Sequence, residues 1–175
     1  MIIGDDWMEF ESVIRERQAT RKFNGQSVEK EKLDSILEAG RIAPTAKNIQ
    51  PIKIYVVESP EGLEKIDKAS PCRYNAGTVL VVCGDKDKAF VKDEHSTYEM
   101  DACIVATHMM LEATNQGINN IWVEMFNEQV LREELSIPNE IIPVCLLPLG
   151  YKTDDCPDSP NHNRRKELNE LVEYI

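Results

Sequence analysis

The arginines are the residues whose types and spacing stand out. Arg15, Arg17, Arg21 and Lys22 gather near one end of the chain, and Arg164, Arg165 and Lys166 adjoin one another near the other. The background is acidic, with 31 Asp and Glu against 20 Lys and Arg and a formal charge of −11. A planar guanidinium holds a phosphate through two parallel hydrogen bonds, so arginines brought together from distant segments would make a phosphate clamp. The plainer reading is that both clusters are solvated helix ends with their cations in water. On these residues alone both readings stay open.

A second candidate is Ala43-Pro44-Thr45-Ala46-Lys47-Asn48-Ile49-Gln50-Pro51. Pro44 and Pro51 stiffen this stretch, while Thr45, Asn48 and Gln50 offer uncharged donors and acceptors. Such groups suit the edge of a heterocycle better than a phosphate. A plain capped loop would read the same way. His108, Met100, Met109, Met110 and Trp122 read as core residues first. The five cysteines (Cys72, Cys83, Cys103, Cys145, Cys156) show no CxxC spacing, and the three histidines share no close spacing with them or with each other. Zinc needs closer ligand spacing, so no metal is expected.

The elements that must position these groups follow from periodicity. Leu33, Ile36, Leu37, Gly40 and Ala43 recur at helical spacing, with Ser27 placed to cap the helix and Pro44 to end it. Ile52 to Val57 is rich in β-branched and aromatic residues and reads as a strand. Ser59-Pro60 opens a short helix, with proline where a missing N–H costs nothing. Thr78 to Cys83 is apolar throughout, as in a mid-sheet strand covered on both faces. Ala102 to Ala113, between Asp101 and Gly117, predicts a buried central helix. Ile121 to Phe126 and Val144 to Leu149 predict two more strands, with a short helix from Asn127 between them. A last helix would align Leu168, Leu171, Val172 and Ile175. The result is four strands alternating irregularly with about six helices.

With 175 residues, 42% of them hydrophobic, the chain suffices for one ordinary core. Apolar runs stop well short of the roughly 20 residues that span a bilayer. Residues 1–11 lack a basic start followed by an apolar stretch, so the expected location is cytoplasmic. The acidic surface weighs against nucleic-acid partners. There is no GxGxxG after a strand, no GxxxxGK[ST], no GxSxG and no HExxH.

Taken in order, these segments resemble one family. Arg17-Gln18-Ala19-Thr20-Arg21-Lys22-Phe23 is similar to the Arg-Arg-Ser-x-Arg-x-Phe opening of the nitroreductases, and Pro44 to Pro51 to their Pro-Ser-x-x-Asn-x-Gln-Pro loop. Asp101 to Leu111, Gly117 and Trp122 to Phe126 resemble the central helix and the strand after it; Leu149-Gly150-Tyr151 and Arg165-Lys166 complete the match. Gln18 and Ala19 depart from the usual Arg and Ser, and Asn119-Asn120 from the usual Gly-Ser or Gly-Thr. Ile52 and Lys152 also differ from the pattern.

The resemblance implies an α+β nitroreductase-like fold: a mostly antiparallel sheet of about four to five strands flanked by helices, in an interlocked homodimer. One domain would cover residues 1–175, with Met1 to Trp7 as a tail. FMN would be the cofactor. Arg17, Arg21, Arg164 and Arg165 would hold its phosphate and ribityl end, with the backbone of Gln18 and Ala19. Pro44, Thr45, Ala46 and Asn48 of the partner would meet its pyrimidine edge, and the backbone around Glu124 and Met125 would approach N5. The implied activity is NAD(P)H-dependent reduction of nitroaromatics or quinones. NADH or NADPH and a small acceptor are the partners, and no side chain is named as catalytic, with Tyr98 and His108 the alternatives. The rival readings are a related flavin dehalogenase or desaturase, a non-catalytic flavin- or anion-binding regulatory dimer, and a structural dimer without cofactor.

Overall fold

The computed structural model describes residues 9–175. The expected tail, Met1 to Trp7, lies outside them. The chain forms α1 (Phe10–Glu16), α2 (Lys30–Ile42), β1 (Ile52–Val57), α3 (Pro60–Ala69) and β2 (Thr78–Asp85). It continues with a small hairpin, β3 (Val91–Lys92) and β4 (His95–Ser96), then α4 (Tyr98–Asn115) and β5 (Asn119–Asn120). α5 (Glu128–Leu135) and β6 (Ile141–Gly150) complete the regular elements. The main sheet has the order β1-β2-β6-β5 with every pair antiparallel. The architecture is therefore the expected α+β fold.

β2 is buried along its whole length because the sheet is covered on both faces. Its side chains alternate between two cores. Leu80 and Val82 join Ile36 of α2 and Val105 and Met109 of α4. Val79, Val81 and Cys83 join Ile66 of α3 and Leu131 of α5. Burial pushes the Cys83 thiol up to about 12, as befits a core residue. α2 crosses α4 closely at Gly40, where a Cβ would lie 2.8 Å from Met109 Cγ.

Local signals placed several elements well. β1 spans Ile52–Val57 as expected, Ser59 caps α3 through its Oγ, and Asn127 caps α5. Five expectations need correction. Ser27 does not cap α2: its hydroxyl donates to the Gly77 carbonyl, and the helix starts after Glu29. α4 begins a turn before Ala102, where the Thr97 hydroxyl donates to Asp101 and the Asp101 N–H to Thr97 O.

The strand expected over Ile121 to Phe126 is replaced by the short β5 and one isolated bridge, Val123 with Leu146. The chain then leaves the sheet because Phe126 N–H turns back to Glu124 O and Asn127 N–H bonds Ala69 O. The last helix shrinks to the single turn Leu168–Glu170, and Leu168, Leu171 and Val172 are left exposed. No described residue of the same chain covers that apolar stripe, and a lone turn cannot sustain a helix. β6, conversely, starts three residues early. A register shift opposite Val82 and Cys83 accommodates Pro143, which cannot donate to a regular ladder.

Candidate functional site

Segment 17–24 is clamped between two strand ends. Ala19 forms a parallel bridge with Asn120, Thr20 N–H donates to Asn120 O, and Phe23 is buried, its N–H on Tyr74 O. The chain after β6 returns along this segment. Thr153 N–H donates to Lys22 O, Lys22 pairs with Asp155, and the Gln18 amide bonds Asp158 and the Ser159 N–H. This return brings the two basic clusters together. Burial first, and the charge of Arg165 second, hold the Arg17 guanidinium below its ordinary value.

Arg15, Arg41, Arg73 and Arg132 each pair with a carboxylate. Among the described residues Arg17, Arg21, Arg164 and Arg165 have no carboxylate within 4.0 Å, although the chain is strongly acidic. Guanidinium groups without a carboxylate partner are suited to receive an anion.

A cavity of about 500 Å³ opens at this corner, lined in part by Arg17, Gln18, Thr114, Asn120, Lys152 and His162. Asn120 is only 1% exposed; its amide nitrogen donates to Thr114 Oγ1 and Met110 O, but its Oδ1 has no partner among the described residues. The buried His162 Nδ1 also lacks one. A buried polar atom without a hydrogen bond is costly, so a ligand bearing hydroxyl or water donors would be well received.

The second part of the site is the turn around Glu124. The Trp122 indole donates to Glu124 Oε1, and the buried Ser70 hydroxyl donates to Met125 O at 2.6 Å. The N–H groups of Glu124 and Met125 have no acceptor among the described residues. Arg21 lies on this side: the Cys72 thiol and burial push the Tyr74 phenol up while Arg21 pulls it down, and Cys72 Sγ sits 3.8 Å from Met125 Sδ. Arg21 thus lies beside Tyr74, on the side of the Met125 turn.

Pro44 to Asn48 form the third part, on the loop from α2 to β1. Lys47, Asn48 and Gln50 all adopt left-handed backbone (φ 52, 56 and 58°), which L-residues occupy at a cost of about 1 kcal/mol each. The Thr45 hydroxyl accepts the Gln50 N–H, and the buried Asp101 carboxylate accepts the Ala46 N–H at 2.8 Å while its other oxygen accepts from Thr97. The loop is therefore anchored to the first turns of α4, whereas the arginines adjoin Asn120, beyond that helix's other end. Eighteen helical residues separate those ends, about 27 Å. One chain does not bring the loop and the arginines together.

His108 is half-buried, not core, its Nδ1 2.9 Å from Ile104 O. The Tyr98 hydroxyl donates to Glu99. Sequence reading missed Ser70, Asn120 and His162 as site residues. It took Asp101 only as a helix start, although an acid at that position is also a standard anchor for backbone N–H groups.

With this geometry in hand, the chain can be set beside known proteins. The Nitroreductase family profile matches residues 14–74 and 71–151. A solved nitroreductase family protein from Clostridium difficile 630 is 38% identical, with a TM-score of 0.89, covering 95% of this chain and 98% of the other. An FMN-dependent nitroreductase from Clostridium difficile R20291 is 26% identical with a TM-score of 0.75 over 94% of this chain and 98% of its own. The NAD(P)H FMN reductase of Bacillus subtilis is 24% identical over 84% of this chain and 67% of its length.

Proposed function

This chain belongs to the nitroreductase family, and from that premise we propose that it is an NAD(P)H-dependent oxidoreductase that binds FMN between two copies of itself and reduces small electron-poor acceptors such as nitroaromatics or quinones. The observation that carries this reading is the nearness of Arg165 to Arg17, two like charges drawn from distant parts of the sequence with no carboxylate within 4.0 Å of either among the described residues. The names of the relatives, an FMN-dependent nitroreductase and an NAD(P)H FMN reductase, support the same cofactor and reductant.

The residues present fit FMN. Arg17 and Arg165, with Arg164 beside them, supply the charge for its phosphate. The orphaned Asn120 Oδ1 and His162 Nδ1 offer acceptors for hydroxyl donors. The loss of the usual hydroxyl at Ala19 leaves backbone N–H groups of Gln18 and Ala19 to serve that stretch. At the Met125 turn, free N–H groups of Glu124 and Met125 present donors where negative charge develops on reduction, and Ser70 holds that turn in place. When bound, FMN supplies the hydride chemistry between a reduced nicotinamide and the acceptor. The reading requires no side chain as general acid, since an open site admits water.

The separation along α4 is what supports a homodimer in this reading. Phe10 and Ile14 of α1 and Met100 and Ile104 of α4 are exposed apolar residues on neighbouring helices. Such a patch calls for a partner. A two-fold axis across α4 sets two copies antiparallel, so that the loop at the start of one helix comes to the arginines at the end of the other. Pro44, Thr45, Ala46 and Asn48 would then close over the ring held by the neighbouring subunit.

Anaerobic addition of NADPH to the FMN-loaded protein is expected to bleach the visible flavin absorption, and a quinone added next should restore it. Stoichiometric FMN whose colour survives both NADH and NADPH would show a binding protein that does not turn over.

A further inference from the structure

Lys47 occupies an unusual position in the loop that closes the site. Its backbone is left-handed, and its ammonium lies 4.0 Å from the centroid of the Phe90 ring. Among the described residues it has no carboxylate within 4.0 Å. Asp101, the acid that anchors this loop, has its two oxygens engaged by Ala46 N–H and the Thr97 hydroxyl. Phe90 is half-buried between β2 and the β3–β4 hairpin, and its carbonyl accepts the Thr97 N–H, which ties its main chain to the start of α4. A ring face takes one side of an ammonium by cation–π attraction and leaves its other N–H groups outward. The backbone bend and the ring together hold one positive charge in place on the loop that, in the dimer proposed above, meets the flavin.

We propose that Lys47 selects for an anionic group on the small molecule that occupies the bound flavin, a carboxylate or sulfonate of the acceptor or a phosphate of the reduced nicotinamide. The inference rests on the flavin reading above. A surface carrying a net −11 repels anionic ligands, so a single fixed ammonium beside the site decides whether they enter. Phe90 is the positioning residue for that charge: it acts through Lys47 and touches no ligand.

The test uses the FMN-loaded protein with Lys47→Met, Lys47→Arg and Phe90→Leu. One arm compares 4-nitrobenzoate with nitrobenzene at saturating NADH. The other compares NADH with a neutral N-benzyl dihydronicotinamide at a fixed quinone. Lys47→Met is expected to raise KM about tenfold for the anionic member of at least one pair and less than twofold for its neutral counterpart, with kcat little changed. Lys47→Arg should retain the preference, and Phe90→Leu should lose part of it. A rise confined to 4-nitrobenzoate assigns the anion to the acceptor, and a rise confined to NADH assigns it to the reductant. Equal changes for charged and neutral members, or none, would overturn the role of Lys47 while leaving the flavin reading intact. A wild-type protein that holds FMN yet reduces no acceptor would overturn both.

Discussion

Arg17→Ala combined with Arg165→Ala is expected to weaken FMN binding by a factor of roughly 10² to 10⁴. Hydrogen bonds to charged groups contribute about 1.5–3 kcal/mol each, and two are removed. Flavin retained after desalting, with a titration of the apoprotein, measures the loss. The fold should survive, because neither side chain makes an ion pair with a described residue and each adds a like charge beside the other. Relieving that repulsion should leave the apoprotein's thermal midpoint at or slightly above that of the wild type, while added FMN no longer raises it. Full flavin occupancy in the double variant would remove the phosphate assignment.

The second large effect is expected at Asp101. Its carboxylate is 2% exposed and accepts from both the Ala46 N–H and the Thr97 hydroxyl. Asp101→Ala leaves both donors without an acceptor in a water-poor setting, so unfolding in urea should show a loss of about 3 kcal/mol. The loop from Pro44 to Asn48 would come free of α4 and FMN would dissociate faster. Asp101→Asn should recover most of both properties, since the amide oxygen can still accept from Ala46 while the Thr97 hydroxyl turns to accept from the amide nitrogen. If Asn proves as damaging as Ala, the anchoring role is wrong.

These residues and the elements around them show what the amino-acid sequence discloses and what it withholds. Elements with strong local signals are legible: Ser59-Pro60 starts α3, Asn127 starts α5, and the β-branched run from Ile52 to Val57 is β1. Misreadings occur where tertiary contacts override those signals. Trp122 to Phe126 has strand composition, yet Ser70 and Ala69 draw the turn off the sheet and expose the N–H groups of Glu124 and Met125. Leu168, Leu171 and Val172 have helical spacing, but the described part of one chain offers them no surface to lie on.

The site divides in the same way. Arg17 and Arg165 stand out as an excess of cations in an acidic chain, and in the fold the charge of one bears on the other. Asn120 and His162 carry no such mark, because an unmet hydrogen bond exists only once the surroundings are built. The distance along α4 between the loop and the arginines is likewise invisible until the helix has a length and two ends.

That separation makes the shared site the central claim, and mixed dimers test it most directly. Subunits carrying Arg17→Ala and Arg165→Ala are paired with subunits carrying Asp101→Ala, and the heterodimers are isolated with distinct tags. If each FMN lies between the arginines of one subunit and the loop of the other, one site in every heterodimer collects both defects and the other collects neither. Flavin content should then return to about half that of the wild-type dimer, although either variant alone binds little. Heterodimers as empty as their parents would show that the arginines and the loop of a single chain serve the same flavin, contradicting the shared site.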